Sequence, residues 1–120
     1  MNEKVGSLTH IIIDGRDTDT LANFWSSVLG LELAEPTPPY QDLVPESGGA
    51  PIISFQKVSE VKSGKNRVHL DVKVDDLGVA EARIRKIGGN VLRRMNQDGY
   101  EWTIAADPEG NEFCLITTIE

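Results

Sequence analysis

The chain has 120 residues, 39% hydrophobic and 26% charged, the composition of one globular domain able to bury its own core. Its formal net charge of −7 argues against nucleic acid or an anionic membrane as partner, because either would select a basic surface. The opening MNEKVGSLTH holds no apolar run, and no segment approaches the roughly 18–20 apolar residues of a membrane span, so neither signal peptide nor membrane anchor is expected.

Leu8 to Ile13 (LTHIII) is an apolar run with His10 inside it, the pattern of a buried strand. Asp14-Gly15-Arg16-Asp17 turns the chain. Asp17 or Thr18 then caps a helix, since their side-chain oxygens accept from free first-turn N–H groups. Leu21, Phe24, Trp25, Val28 and Leu29 form one apolar stripe along that helix, which Gly30 ends. Leu31-Glu32-Leu33 starts a second strand. Pro36 to Ala50 is poorly patterned, with Pro36, Pro38, Pro39 and Pro45 in it; one or two short edge strands and a long loop are expected there. Tyr40 and this loop would suit either a lid or a plain surface. Ile52 to Val58 alternates, with Ile53, Phe55 and Lys57 on one side and Ser54 and Gln56 on the other. Ser59 to Asn66 is a polar linker.

Arg67 to Val74 (RVHLDVKV) alternates strictly. Val68, Leu70, Val72 and Val74 make a core face; Arg67, His69, Asp71 and Lys73 make the other, placing an imidazole and a carboxylate on one side of a strand. Covered by a curved sheet, that second face would be a pocket wall. Asp75 or Asp76 caps a second helix with the stripe Leu77, Ala80, Ile84 and Ile87. Glu81 and Arg85, at i and i+4 on its outer side, suit a weak ion pair. Gly88-Gly89 ends the helix and Asn90-Val91-Leu92 starts a strand. Tyr100 to Ala106 is another. Asp107-Pro108-Glu109-Gly110 is a tight turn with proline at its second position, carrying no chemistry of its own. Glu112 to Ile119 is the last strand, with Phe113, Leu115 and Thr117 opposite Glu112, Cys114 and Ile116.

The two halves share a register. His10 and His69, Asp17 and Asp76, Gly30 and Gly89, and Leu33 and Leu92 are each 59 residues apart. The chain therefore reads as two copies of a strand–helix–strands unit within one domain, residues 1–120: one copy about 7–58, the linker 59–66, and the second about 67–119.

Two such copies, a histidine in the first strand of each, and the segments KNRVHLDVKVDDL and WTIAADPEGNEFCLI together resemble the vicinal oxygen chelate superfamily, in its glyoxalase-like and bleomycin-resistance branch. The resemblance covers nearly the whole chain. It implies an α+β fold in which two tandem βαβββ modules form an open, cup-shaped mixed barrel, helices outside and a ligand cavity within. It also implies a homodimer. In metal-using relatives four inward side chains hold one divalent ion. His10 and His69 match two of these positions, while Gln56 and Cys114 fall where acidic ligands are usual. Gln56 is a weak neutral donor, whereas Cys114 as thiolate would join His10 and His69 in a zinc site with an open position.

Function then divides into classes. The favoured one is recognition of a small organic molecule in the cavity without a tightly held metal, as sequestration or as metal-free chemistry using His69 and Asp71. His10, Gln56, His69, Asp71, Trp102 and Cys114 are the candidate ligand-binding residues, with Trp102 the candidate for stacking on a ligand and Trp25 assigned to the core. The second class is a metal-dependent lyase, isomerase or dioxygenase using His10, His69 and Cys114. A third is a small-molecule sensor or accessory subunit. Each residue also has a purely structural reading: His69 and Asp71 as braces, His10 as a satisfied core histidine, Cys114 as a small buried hydrophobe. With one cysteine there is no internal disulfide framework, which fits a reducing cytoplasm. The absence of phosphate-loop, dinucleotide and nucleophile-elbow motifs leaves nucleotide hydrolysis, Rossmann hydride transfer and serine hydrolysis unsupported.

Overall fold

Asp17 caps the first helix by accepting from the Thr20 backbone N–H at 3.1 Å, and the chain then runs as α1 (Thr18–Leu29) to Gly30, a left-handed C-cap with φ 68°. The structure is a computed structural model and describes residues 4, 6–45 and 51–117. Before α1 lies strand β1 (His10–Gly15); after it come β2 (Glu32–Leu33), β3 (Tyr40–Val44) and β4 (Ile52–Lys57). The second half repeats the order with β5 (Asp71–Lys73), α2 (Leu77–Lys86), β6 (Asn90–Gln97), β7 (Tyr100–Ala106) and β8 (Glu112–Ile116).

Each half makes one four-stranded sheet with the same connectivity, β1-β4-β3-β2 in sheet A and β5-β8-β7-β6 in sheet B. The first and last strands of each half pair in parallel; the other pairs are antiparallel. This is the βαβββ module, twice. The two sheets do not close on one another among the described residues, which leaves the open cup expected from the resemblance.

Both apolar stripes reach the core. Leu21, Phe24 and Trp25 of α1 are buried, with Val28 and Leu29 packed at the margin; Leu77 and Ile84 of α2 are buried, with Ala80 and Ile87 beside them. An aromatic cluster joins the halves: the Trp25 ring lies 4.6 Å from that of Phe113 in β8, and Phe24 stands edge-on to both. The Asp107–Gly110 turn, closed by Gly110 N–H donating to the Asp107 carbonyl at 2.9 Å, does more than reverse the chain. Asp107 is fully buried. Its carboxylate accepts from Glu109 N–H, Asn111 N–H, Asn111 Nδ2 and, across the modules, Trp25 Nε1 at 3.0 Å. Glu109 in turn accepts from the backbone N–H groups of Arg16 and Asp17, each at 2.7 Å.

Several expectations change. The strand expected over Arg67 to Val74 is confined to Asp71–Lys73, because β5 is an edge strand and only β8 offers it a ladder. Val68 therefore leaves the core face and is 76% exposed. Asp14 and Gly15 belong to β1 and not to a turn. Among the described residues the Pro36 to Ala50 segment supplies no edge strand: β3 lies inside sheet A between β4 and β2, residues 46–50 fall outside the described residues, and so do 118 and 119 of the expected last strand. Glu81 passes over Arg85 and binds sheet B, accepting from Thr103 Oγ1 at 2.5 Å and pairing with Arg94 at 3.1 Å. Folding brings these partners to its side, whereas the helical neighbour stays in water.

Candidate functional site

The parallel pairing of β5 with β8 sets Asp71 opposite Cys114, and opposed residues point to the same face of a sheet. Cys114 N–H donates to the Leu70 carbonyl at 2.9 Å, which fixes the segment entering β5. His69, two residues before Asp71, reaches the same side, and its Nδ1 lies 3.2 Å from Asp71 Oδ1. A histidine nitrogen, a carboxylate oxygen and the Cys114 sulfur thus lie within 4.8 Å of one another, the one such group among the described residues. The His69 and Asp71 side chains are 55% and 49% exposed, so they line an open wall and are not sealed in. Burial pushes the Cys114 thiol above its ordinary value, and the neighbouring Asp71 carboxylate, then Glu112, push it further the same way. The sulfur is accordingly a protonated thiol at neutral pH.

The same face continues across sheet B. Ile104 pairs with Cys114 and Trp102 with Ile116, so apolar surface stands beside the three donors. Together they wall a cavity of about 520 Å³. Lys65, Asn66, Arg93, Tyr100, Glu101 and Glu112 complete its rim. Its carboxylates Asp71, Glu101 and Glu112 are offset by Lys65 and Arg93, so no single sign of charge dominates. Such a space, mostly apolar with a few convergent polar groups, is of the size used for small molecules.

His10 and Gln56 stand elsewhere. Both are on sheet A: His10 is exposed, its Nδ1 3.0 Å from Thr9 Oγ1, and Gln56 is half-buried opposite Asp14 and Tyr40. Neither lines this cavity or belongs to the three-donor group. Of the expected trio His10, His69 and Cys114, strand pairing within the second module brings His69 and Cys114 together with Asp71, while His10 lies on β1 of sheet A. A smaller space of about 230 Å³ separates β1, at Ile11 to Asp14, from residues 68–70, and His69 and Glu112 border both it and the Trp102 cavity. Trp102 lies on the cavity wall, and Trp25 in the core. Arg93 and Asn66 were not legible as site residues, since the register shift between Val91 and Arg93 breaks the alternation of β6 and Asn66 sits in an unpatterned segment.

Two βαβββ modules with an open concave face define the vicinal oxygen chelate superfamily. Within it, residues 10–116 match the family model described as a glyoxalase-like domain, and the chain belongs to that family. A glyoxalase/bleomycin resistance protein/dioxygenase family enzyme from Burkholderia phytofirmans is similar in structure, with TM-score 0.73 and 20% identity over 95% of this chain and 100% of its own. The fosfomycin resistance protein FosX from Mesorhizobium loti is similar with TM-score 0.73 and 15% identity over 97% and 95%. FosX from Listeria monocytogenes has TM-score 0.77 and 12% identity over 97% and 96%. No functionally curated protein matches the chain. Among the described residues no helix is long and apolar enough to cross a membrane.

Proposed function

We propose that the concave face of sheet B binds a small organic molecule, and that binding needs no tightly held metal. The observation that carries this is the cavity of about 520 Å³ in which Trp102, Ile104 and Ile116 adjoin His69, Asp71 and Cys114. A flat, partly apolar ligand would stack on the Trp102 indole and present a polar group to the His69/Asp71 pair. His69, whose Nδ1 lies 3.2 Å from Asp71 Oδ1, is the candidate to give or take a proton, which leaves sequestration and metal-free chemistry as two uses of one pocket. Sheet A presents a facing surface with Ile12 50% and Tyr40 38% exposed beside His10 and Gln56; a homodimer that lays this face over the partner's cavity would cover both.

The test is a ligand-observed NMR screen of small aromatic and polar compounds at neutral pH, repeated with Trp102→Ala and His69→Ala. Binding that weakens in both variants, at one site per chain, supports the reading. Recovery of the ligand intact marks sequestration; conversion that fails in His69→Ala marks catalysis. Hits that bind both variants as tightly as the parent protein would refute the assignment of this face.

A second reading is favoured by the three-donor group. One nitrogen, one oxygen and one sulfur suit zinc, whose tetrahedral ligands lie about 3.5 Å from one another. They fit with small adjustment, given donors within 4.8 Å. Bound there, the ion would polarise a substrate oxygen. Because the thiol is held protonated, loading would displace a proton and strengthen as pH rises. Elemental mass spectrometry on protein purified without chelator decides this reading: metal near one equivalent, lost in Cys114→Ser and Asp71→Asn but kept in His10→Ala, would establish it over the small-molecule reading.

A further inference from the structure

One buried polar atom has no partner. Asn66 Oδ1 is shielded from solvent and makes no hydrogen bond, alone in this among the buried side-chain polar atoms of the described residues. A carbonyl oxygen taken out of water and left without a donor costs about 1–3 kcal/mol, and such groups in folded proteins ordinarily have a reason. Asn66 is no random surface residue. It closes the linker before His69, and it lines the same cavity as Trp102 and Tyr100.

We infer that Asn66 is a specificity-determining residue of this cavity, whose side-chain carbonyl accepts a hydrogen bond from an N–H or O–H donor on a planar aromatic ligand. The inference rests on the proposed small-molecule site and names the ligand class that site selects. Three features converge on it. The terminal torsion of asparagine is broad, so the carbonyl turns toward the cavity at little cost once a donor is there. The cavity sets Lys65 and Arg93 against Asp71, Glu101 and Glu112, which favours an uncharged ligand over either ion. Trp102 and Ile116, opposed on adjacent strands, give a flat apolar surface against which a ring can lie while its edge meets Asn66. A site built to receive a donor also rejects the analogue that lacks it, because the acceptor is then buried twice over without a partner.

The probe pair is indole and 1-methylindole, which have the same ring and differ in whether the ring nitrogen carries a hydrogen. Dissociation constants come from titrations of the ¹⁵N-labelled protein followed by chemical-shift changes, with the Trp102 indole signal as the reporter of the cavity. The expected result is about tenfold tighter binding of indole, the ratio for one hydrogen bond worth about 1.4 kcal/mol. Asn66→Leu brings the ratio to about one, and Asn66→Asp, which keeps an acceptor at the same reach, retains the preference for indole. Equal binding of both compounds to the parent protein, or a preference that survives Asn66→Leu, overturns the role of Asn66 and leaves the cavity reading standing. Absence of any shift at Trp102 with either compound overturns both.

Discussion

Replacing Asp107 should be the most damaging single substitution of a polar residue outside the cavity. Its carboxylate accepts four hydrogen bonds at 2.9–3.0 Å and is fully buried. In Asp107→Ala the indole N–H of Trp25, 1% exposed, has no water to turn to, which costs about 1–3 kcal/mol. The three donors from Glu109 and Asn111 lie in a part-buried turn and regain some solvation, so each adds about 0.5–1 kcal/mol. The sum is about 2.5–6 kcal/mol, a large share of the roughly 5–15 kcal/mol that holds a domain folded. At about 4 °C per kcal/mol for a chain of this length, the melting temperature falls by about 10–24 °C. Asp107→Asn is the sharper test. Its amide oxygen can still serve the two backbone N–H groups, but its NH₂ must face Trp25 Nε1 and Asn111 Nδ2, donor against donor. It should lose at least half as much as alanine. Urea denaturation followed by circular dichroism at pH 7 gives both values. A loss under about 1 kcal/mol in the alanine variant, or an asparagine variant close to the parent protein, would refute the claim that this carboxylate joins the modules.

Two further outcomes follow from charge. Hydrogen bonds from Thr103 and then Arg94 hold the Glu81 carboxyl below its ordinary value near 4.5. A depressed folded-state pKa contributes stability above the unfolded value that is lost as pH falls through the folded one. Thermal melts should therefore show Glu81→Gln a few degrees below the parent protein at pH 7, with the gap closing as pH drops below about 4; a gap independent of pH would contradict this. The Cys114 thiol, held up by burial and Asp71, should react with iodoacetamide at pH 8 several-fold more slowly than a small free thiol. Asp71→Asn should raise that rate without reaching the free-thiol value, since burial persists; no change in rate would remove Asp71 as a cause.

Much of the fold was legible because it depends on local rules. The caps at Asp17 and Asp76, the stripes of α1 and α2, and the constant spacing of the halves are all properties of near neighbours in sequence. What failed depends on strand partners. Arg67 to Val74 alternates perfectly, yet only three of its residues find a ladder on the edge of sheet B. The site was half legible for the same reason. His69, Asp71, Trp102 and Cys114 line one cavity on sheet B, while His10 and Gln56 stand on sheet A, away from it. The turn at Asp107 looked inert because a tight turn explains Asp, Pro and Gly without remainder; nothing in DPEGN announces an indole 82 positions earlier.

The repeat invites a picture of two interchangeable beads, and the seam contradicts it. Every donor that crosses at the turn, Trp25 Nε1 and the N–H groups of Arg16 and Asp17, comes from the first copy; both acceptors, Asp107 and Glu109, come from the second. The counterpart of Trp25, 59 residues on, is Ile84, which has no hydrogen to give. The joint is polarised, plug to socket. A chain built from two identical copies of either half would lack either the indole or the carboxylate that receives it, so this joint depends on the difference between the halves.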